Sequence, residues 1–218
     1  DDVESRGLGD VYKRQVYGRN DSIAPFIEDQ YGFIDLLNPR SSYAIAKRAA
    51  ETMCASYQSE YGVPFNVVRL GHVYGPSASR NDKRVSSDFV YKAVSGENLI
   101  LKSAGKQIRS YCYSIDCASA ILSVLTSAPS CEAYNISNRD SIITIRNMAE
   151  CIAKAARVEL VFDIPTQVEA FAFNPMDNSS LDSTKLEKLG WHGVFNATVG
   201  LSHTVMILKN NSSLESYL

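Results

Sequence analysis

Apolar positions along this chain fall into short, separated blocks, and the first clear block has helical spacing. Tyr43, Ala46, Ala50, Met53, Cys54 and Tyr57 recur at three- and four-residue steps, predicting a helix from about Tyr43 to Tyr61 with these residues on one buried face. Ser41 and Ser42 offer N-caps, Gly62 ends the helix and Pro64 prevents its restart. A near-continuous apolar run follows, Phe65-Asn66-Val67-Val68-Arg69-Leu70-Gly71-His72-Val73-Tyr74, which predicts a strand buried on both faces and closed by Gly75-Pro76. A helix followed at once by a buried strand is an α/β signature.

Residues 16–40, with Pro25 and Pro39, read as loop, and so does the polar segment 77–88 with Arg80, Lys83 and Arg84. Beyond it the pattern predicts a helix over Asp88–Val94, a strand over Asn98–Lys102, a turn at Ser103–Lys106 and a strand over Ile108–Tyr113. Asp116 reads as the cap of a helix over Cys117–Leu125, and Ala133–Ile136 as a strand. Thr144 caps a helix carrying Ile145, Met148, Ala149, Ile152 and Ala153 on one face. A strand over Glu159–Ile164, a loop to about Ser180, helices over Ser183–Leu189 and Val199–Lys209, and a disordered polar tail complete the expectation.

Composition changes this picture little. The 218 residues are 45% hydrophobic and 21% charged, with a formal charge of −2, so nothing electrostatic points to nucleic acid or an anionic membrane. No apolar stretch approaches the ~18 residues of a membrane span, and no signal-peptide core precedes the first helix. The five cysteines form no C-x-x-C pair and sit among apolar neighbours, so they read as buried free thiols in a reducing, cytoplasmic setting. The three histidines lack metal-ligand spacing, so no metal is expected. Residues 1–15 show no periodicity. Gly7-Leu8-Gly9 would need its third glycine at Tyr12, and no apolar strand precedes it, so it lacks the context of a dinucleotide loop.

Tyr43 and Lys47 carry the sharpest candidate chemistry. At i and i+4 they share a helix face. An ammonium a few ångströms from a phenol favours the phenolate, and such a tyrosine can take or give a proton at a hydroxyl whose carbon exchanges hydride. The spacing alone equally describes a tyrosine packed in the core with a solvated lysine one turn on.

The neighbours carry a resemblance. Ser41-Ser42-Tyr43-Ala44-Ile45-Ala46-Lys47 with Ala50-Glu51 resembles the active-site helix of the extended short-chain dehydrogenases, the NAD-dependent epimerase/dehydratase family acting on nucleotide sugars. Val68-Arg69-Leu70-Gly71-His72-Val73-Tyr74-Gly75-Pro76 resembles that family's Arg-x-x-Asn-Val-Tyr-Gly-Pro segment, and Gly105 to Asp116 its Gly-x-x-x-Arg-Asp-Tyr-x-x-Val-x-Asp segment. Val16-Tyr17-Gly18 upstream, Ala133 to Ser137, and Lys188-Leu189-Gly190-Trp191 match further landmarks in order.

The resemblance implies the C-terminal part of a Rossmann-like parallel sheet with helices, plus a smaller mixed α/β substrate-binding lobe. Residues 16–76 would belong to the first, 77–209 to the second with returning elements near 111–137, and 210–218 to a tail. It implies Tyr43 as acid/base, Lys47 as holder of the nicotinamide ribose of NAD and tuner of the tyrosine, and Arg109 as a contact to the substrate diphosphate. His72 stands where the family has a substrate-facing asparagine, and Asp116 reads as a cap. The partner implied is a nucleoside-diphosphate sugar, the chemistry an isomerase or lyase reaction begun by oxidation at sugar C4, and the full-length assembly a homodimer.

Three family positions are altered: the serine or threonine assisting the tyrosine is Lys13, and the acidic pair of dehydratases is Arg14 and Gln15. No Gly-rich turn and no series of βα units to bind NAD precede them. The first 15 residues resemble translated adapter sequence, so the expectation is a leader foreign to the fold, a genuine sequence beginning at Val16, and an N-terminally truncated fragment inactive alone. The alternative from another class is a non-catalytic nucleotide-sugar-binding or scaffold protein. A hydrolase finds no Gly-x-Ser-x-Gly motif.

Overall fold

The computed structural model describes residues 16–18, 25–164 and 178–215. The expected leader 1–15, including Gly7, Gly9, Lys13, Arg14 and Gln15, and most of the loop expected before Ser180 lie outside the described residues. Helix α1 runs Ser42–Tyr61 and ends at Gly62, whose N–H donates to the Gln58 carbonyl. It is entered through a 3-10 turn at Pro39–Ser41, and Ser41 makes no side-chain cap.

The burial expected of α1 is not found. Tyr43, Ala46, Ala50, Met53, Cys54 and Tyr57 are all exposed, and Ala44 is the buried residue of the helix. Periodicity identified a stripe of like residues correctly, but a stripe does not say whether anything lies against it.

The long apolar run is also divided. Its first part forms β1 (Asn66–Leu70) and its last part β2 (His72–Tyr74), and the two pair with different strands. β1 pairs in parallel with β5 (Glu132–Ile136), in register from Asn66 opposite Glu132 to Leu70 opposite Ile136. β2 pairs in parallel with β4 (Ile108–Tyr113), placing His72 opposite Tyr111. Most of the run is half-buried and Leu70 is exposed, so it is not a strand covered on both faces.

Gly71 is the junction. Its N–H donates to the Ile136 carbonyl at 2.8 Å, and a Cβ there would stand 3.0 Å from the Ser110 carbonyl oxygen and 3.2 Å from that of Ile136. Backbone from β4 and β5 thus closes on this residue from two sides, and a residue without a side chain permits it.

β4 is the organising strand of the second sheet. Its C-terminal half pairs with β2; its N-terminal half runs antiparallel to β6 (Ile142–Thr144) and parallel to β8 (Asn178–Ser179). β3 (Leu99–Leu101) and β7 (Leu160–Phe162) form a separate parallel pair. Neither β6 nor β8 was expected: three or two residues are too few to show a period.

Three helices cover this region: α2 (Val85–Val94), α4 (Ile145–Ala156) and α6 (Ala197–Glu215). The Thr144 cap of α4 is found, its hydroxyl accepting the Asn147 N–H at 3.0 Å. α6 continues through much of the expected disordered tail. The larger core joins these helices to β2, β3 and β4 through residues such as Phe89, Leu99, Tyr111, Met148, Ile152, Leu201 and Val205.

A second core joins β1, β4 and β5 to α3 (Ser114–Ser127) and α5 (Thr184–Glu187), with Tyr134, Ile136, Leu186 and Trp191 inside. Of the cysteines, Cys112 and Cys117 are buried, whereas Cys54 and Cys131 are exposed; all five are free, but burial holds for only part of the set.

Replacing Gly71 by Ala forces the Ser110 or Ile136 backbone to yield. We expect a loss of about 1–3 kcal/mol in urea unfolding followed by Trp191 fluorescence; an unchanged midpoint would contradict this account of the junction.

Candidate functional site

Of the four candidate residues, Tyr43 and Lys47 are in contact, and His72 and Arg109 lie on neighbouring strands. Tyr43 and Lys47 stand one turn apart near the start of α1, both exposed, with the Lys47 ammonium 5.7 Å from the Tyr43 ring centroid. That is within cation–π range. Tyr43 is 38% exposed and is not a core residue.

The other two residues stand on β2 and β4. His72 faces Tyr111 in register, their ring centroids 5.2 Å apart and tilted by 30°. Arg109 is two residues before Tyr111, on the same side of β4 by strand alternation. It is buried, 4% exposed, and its Nη1 donates to the Ile108 carbonyl at 2.8 Å. Arg109 is therefore no surface salt-bridge residue.

Asp116 is placed differently from the expectation. It lies inside the first turn of α3, not at its cap, and its carboxylate accepts the Phe195 N–H at 2.8 Å, tying α3 to the segment before α6. That partner is 79 residues away in sequence, beyond the reach of a local capping rule.

Beneath the Tyr43–Lys47 pair lies a polar hub around Arg69 of β1, which takes in α1 but neither β2 nor β4. Its Nε and Nη2 form a bidentate pair with Glu51 of α1 at 3.0 and 2.7 Å. Nη1 donates to the Tyr17 hydroxyl at 2.9 Å and the Glu28 carbonyl at 2.6 Å, and Nη2 to the Tyr31 hydroxyl at 2.6 Å. Tyr17 in turn donates to the Asn135 side-chain oxygen; the Asn135 amide reaches the Phe26 carbonyl at 2.9 Å, and its N–H the Glu28 carboxylate at 2.8 Å. The hub thus binds Val16–Gly18, segment 26–31, α1, β1 and β5.

Burial opposes the Arg69 charge, but the hydrogen bonds to Glu51 and Tyr17 outweigh it and hold the guanidinium above the ordinary arginine value. Burial pushes the Tyr17 phenol up to about 12, against the pull of Arg69. Pattern reasoning passed over this hub. Its signal was an arginine in the apolar run Val67-Val68-Arg69-Leu70, where a charge requires a buried partner.

Beside the hub, an open groove of about 320 Å³ separates α1 from the face of the β1–β5 pair. It is lined by Glu51, Thr52 and Ala55 of α1, Phe65, Val67 and Arg69, and Cys131 and Ala133. Among the described residues no group of three or more histidine, cysteine or acidic side chains gathers as a metal site. No described helix is long and apolar enough to cross a membrane.

The Tyr17 proton makes the hub sensitive to alkali. The folded phenol titrates at about 12 against 10.0 in the unfolded chain, so both states keep the proton below about 10. Between those values the unfolded chain releases it first, and stability falls as pH rises. Urea midpoints taken at about pH 9 and about pH 11.5 should show a loss larger by up to roughly 2 kcal/mol in the parent than in Tyr17→Phe. Equal losses would show that Tyr17 does not carry the effect.

Comparison with known proteins identifies the family and the fold. The model of the NAD dependent epimerase/dehydratase family matches residues 14–137. UDP-glucuronic acid decarboxylase 1 of Danio rerio is 32% identical over 193 residues, 88% of this chain and 44% of that protein. The UDP-N-acetyl-alpha-D-glucosaminuronate decarboxylase of Bacillus cytotoxicus is 29% identical over 198 residues, 88% of this chain and 60% of that protein. The UDP-glucose 4-epimerase of Thermotoga maritima, solved with UDP-glucose, superimposes with a TM-score of 0.76 at 25% identity, covering 93% of this chain and 62% of the epimerase chain. The dTDP-glucose 4,6-dehydratase of Bacillus anthracis, solved with NAD, gives a TM-score of 0.74 at 22% identity, covering 92% and 61%, a likeness of fold. The mixed α/β architecture with parallel sheets is that of Rossmann-like epimerase/dehydratase structures. The chain spans between a quarter and about half of the length of the first curated relatives it matches.

Proposed function

This chain belongs to the NAD dependent epimerase/dehydratase family, and from that premise we propose that it carries the proton-transfer and substrate side of an enzyme oxidising a nucleoside-diphosphate sugar at C4. The observation that supports this most is the exposed Tyr43–Lys47 pair on a helix fixed to the sheet by its own ion pair. Tyr43 takes the C4 hydroxyl proton. Lys47 donates to the ribose hydroxyls of the cofactor beside the phenol. Arg109 meets the diphosphate, whose oxygens suit a guanidinium fork, and His72 offers a ring nitrogen to the sugar. NAD, when bound, accepts the hydride from C4. Its nicotinamide-ribose end fits Tyr43 and Lys47, both accessible. No Gly-x-x-Gly-x-x-Gly turn occurs among the 218 residues, so they supply no cradle of that kind for the pyrophosphate.

Epimerisation, 4,6-dehydration and decarboxylation share this first oxidation, and the reading is confined to that shared step. The purified 218-residue chain is expected to turn over no nucleotide sugar alone. In a polypeptide that contains this chain and binds NAD, Tyr43→Phe should lower kcat by roughly 10²–10⁴-fold with little change in KM, followed as nucleotide-sugar product by chromatography. Retained turnover in that variant would overturn the assignment of Tyr43. Sugar binding without any hydride transfer would favour a non-catalytic binder.

The same helix supports a homodimer. Ala46, Ala50, Met53, Tyr57 and Tyr61 follow one another at steps of three and four on α1 and are all exposed. Such a stripe suits a second copy of the same helix packed against it. Met53→Glu with Tyr57→Glu should convert a dimer to a monomer in light scattering after gel filtration. A parent that is monomeric at every concentration would remove the proposal.

A further inference from the structure

Very little apolar contact holds α1 to the rest of the molecule. Of its 20 residues only Ala44 is buried, and a helix of this length draws most of its stability from packing. What anchors it is polar. Arg48 donates from Nε to the Val16 carbonyl at 2.6 Å and from Nη2 to those of Tyr17 at 3.2 Å and Gly32 at 2.9 Å. Its guanidinium also lies 5.3 Å from the Tyr31 ring centroid. One turn on, Glu51 takes Arg69 in both carboxylate oxygens.

The carbonyls that Arg48 holds are themselves fixed. The Gly32 N–H donates back to the Tyr17 carbonyl, and Gly18 sits at φ +70 with a notional Cβ 2.6 Å from the Phe33 carbonyl oxygen. Residues 16–18 and 32–34 are therefore folded tightly together where Arg48 meets them.

Ala44, Arg48 and Glu51 share one face of α1 at steps of four and three, and Tyr43 and Lys47 immediately precede the first two. Any roll of the helix moves both candidate groups. With side chains reaching about 5–6 Å from the axis, a roll of about 10° carries their ends about 1 Å. A misplacement of that order can cost about a hundredfold in rate.

We propose that Arg48, together with the Glu51–Arg69 pair, is the positioning device that sets the depth and roll of α1, and so where Tyr43 and Lys47 meet their ligands. The consequence for catalysis rests on the reading of that pair given above; the mechanical claim does not. Three carbonyls on two chain segments need a planar fork of donors, so a lysine at this position keeps the charge and loses the geometry.

The test is hydrogen exchange along α1 in Arg48→Lys, Arg48→Ala and Glu51→Gln, with urea unfolding followed at Trp191, which lies in the other core beside α3. The α1 amides should exchange at least about tenfold faster in each variant, as charge-assisted bonds are lost, while the Trp191 midpoint moves little. Lysine should fail to rescue. Unchanged exchange along α1 in Arg48→Lys would overturn the proposal, and so would an exchange increase matched by a proportional fall in the Trp191 midpoint, which marks a general stabiliser. Arg48→Lys decides the matter if Arg48→Ala does not fold. Tyr43→Phe should leave α1 exchange unaltered, so a failure of the catalytic reading in turnover assays leaves the exchange result standing, and the converse also holds.

Discussion

A guanidinium projecting from a sheet face beneath a helix has to be paired on every side, because a charge removed from water without partners is far more costly than any single contact recovers. Arg69 meets that requirement by drawing in a carboxylate from α1, two phenols and a backbone carbonyl, and its phenol partner Tyr17 draws in Asn135 of β5. The first part of the chain is arranged around this need. Segments 16–18 and 26–31, α1 and the β1–β5 pair meet there, whereas the apolar cluster beside it holds only Val16, Tyr17, Phe26 and Leu181.

That gives the two halves of the structure different physics. The lobe built on β4, α2, α4 and α6 is held by a large continuous apolar core. The helix bearing Tyr43 and Lys47 is held by directed polar contacts and leaves an apolar stripe uncovered. Apolar packing tolerates small slippage, since it has no preferred direction. Bidentate ion pairs and guanidinium–carbonyl bonds do not. The Tyr43–Lys47 pair, placed on the second kind of anchor, is fixed in orientation while remaining exposed.

The residues where expectation and structure parted are instructive. The boundaries of β4 and the cap of α4 were legible, because each is set by neighbours within a few residues. The division of the run 65–74 at Gly71 was not: the residue looks like a tolerated glycine until Ser110 and Ile136 close on it. Asp116 carries the letters of a cap and serves a distant backbone N–H instead. Arg109 lies buried beside β6 and β8, two strands too short to leave a pattern, so its depth in the sheet was not legible. Met53 and Tyr57 were expected inside, since hydrophobicity alone cannot tell a core from an uncovered interface.

By itself the sequence determined the helix with Tyr43 and Lys47 on one face, the α/β alternation after it, and the order of landmarks from Val16 to Trp191. These follow from local spacing and short motifs. Only the tertiary structure decided that Arg69 is the hub, that Arg48 grips Val16, Tyr17 and Gly32, that His72 lies against Tyr111, and that α1 keeps its apolar stripe open. Each of these depends on which distant segments arrive at the same place, and the spacing of residues along one element holds no information about its partners.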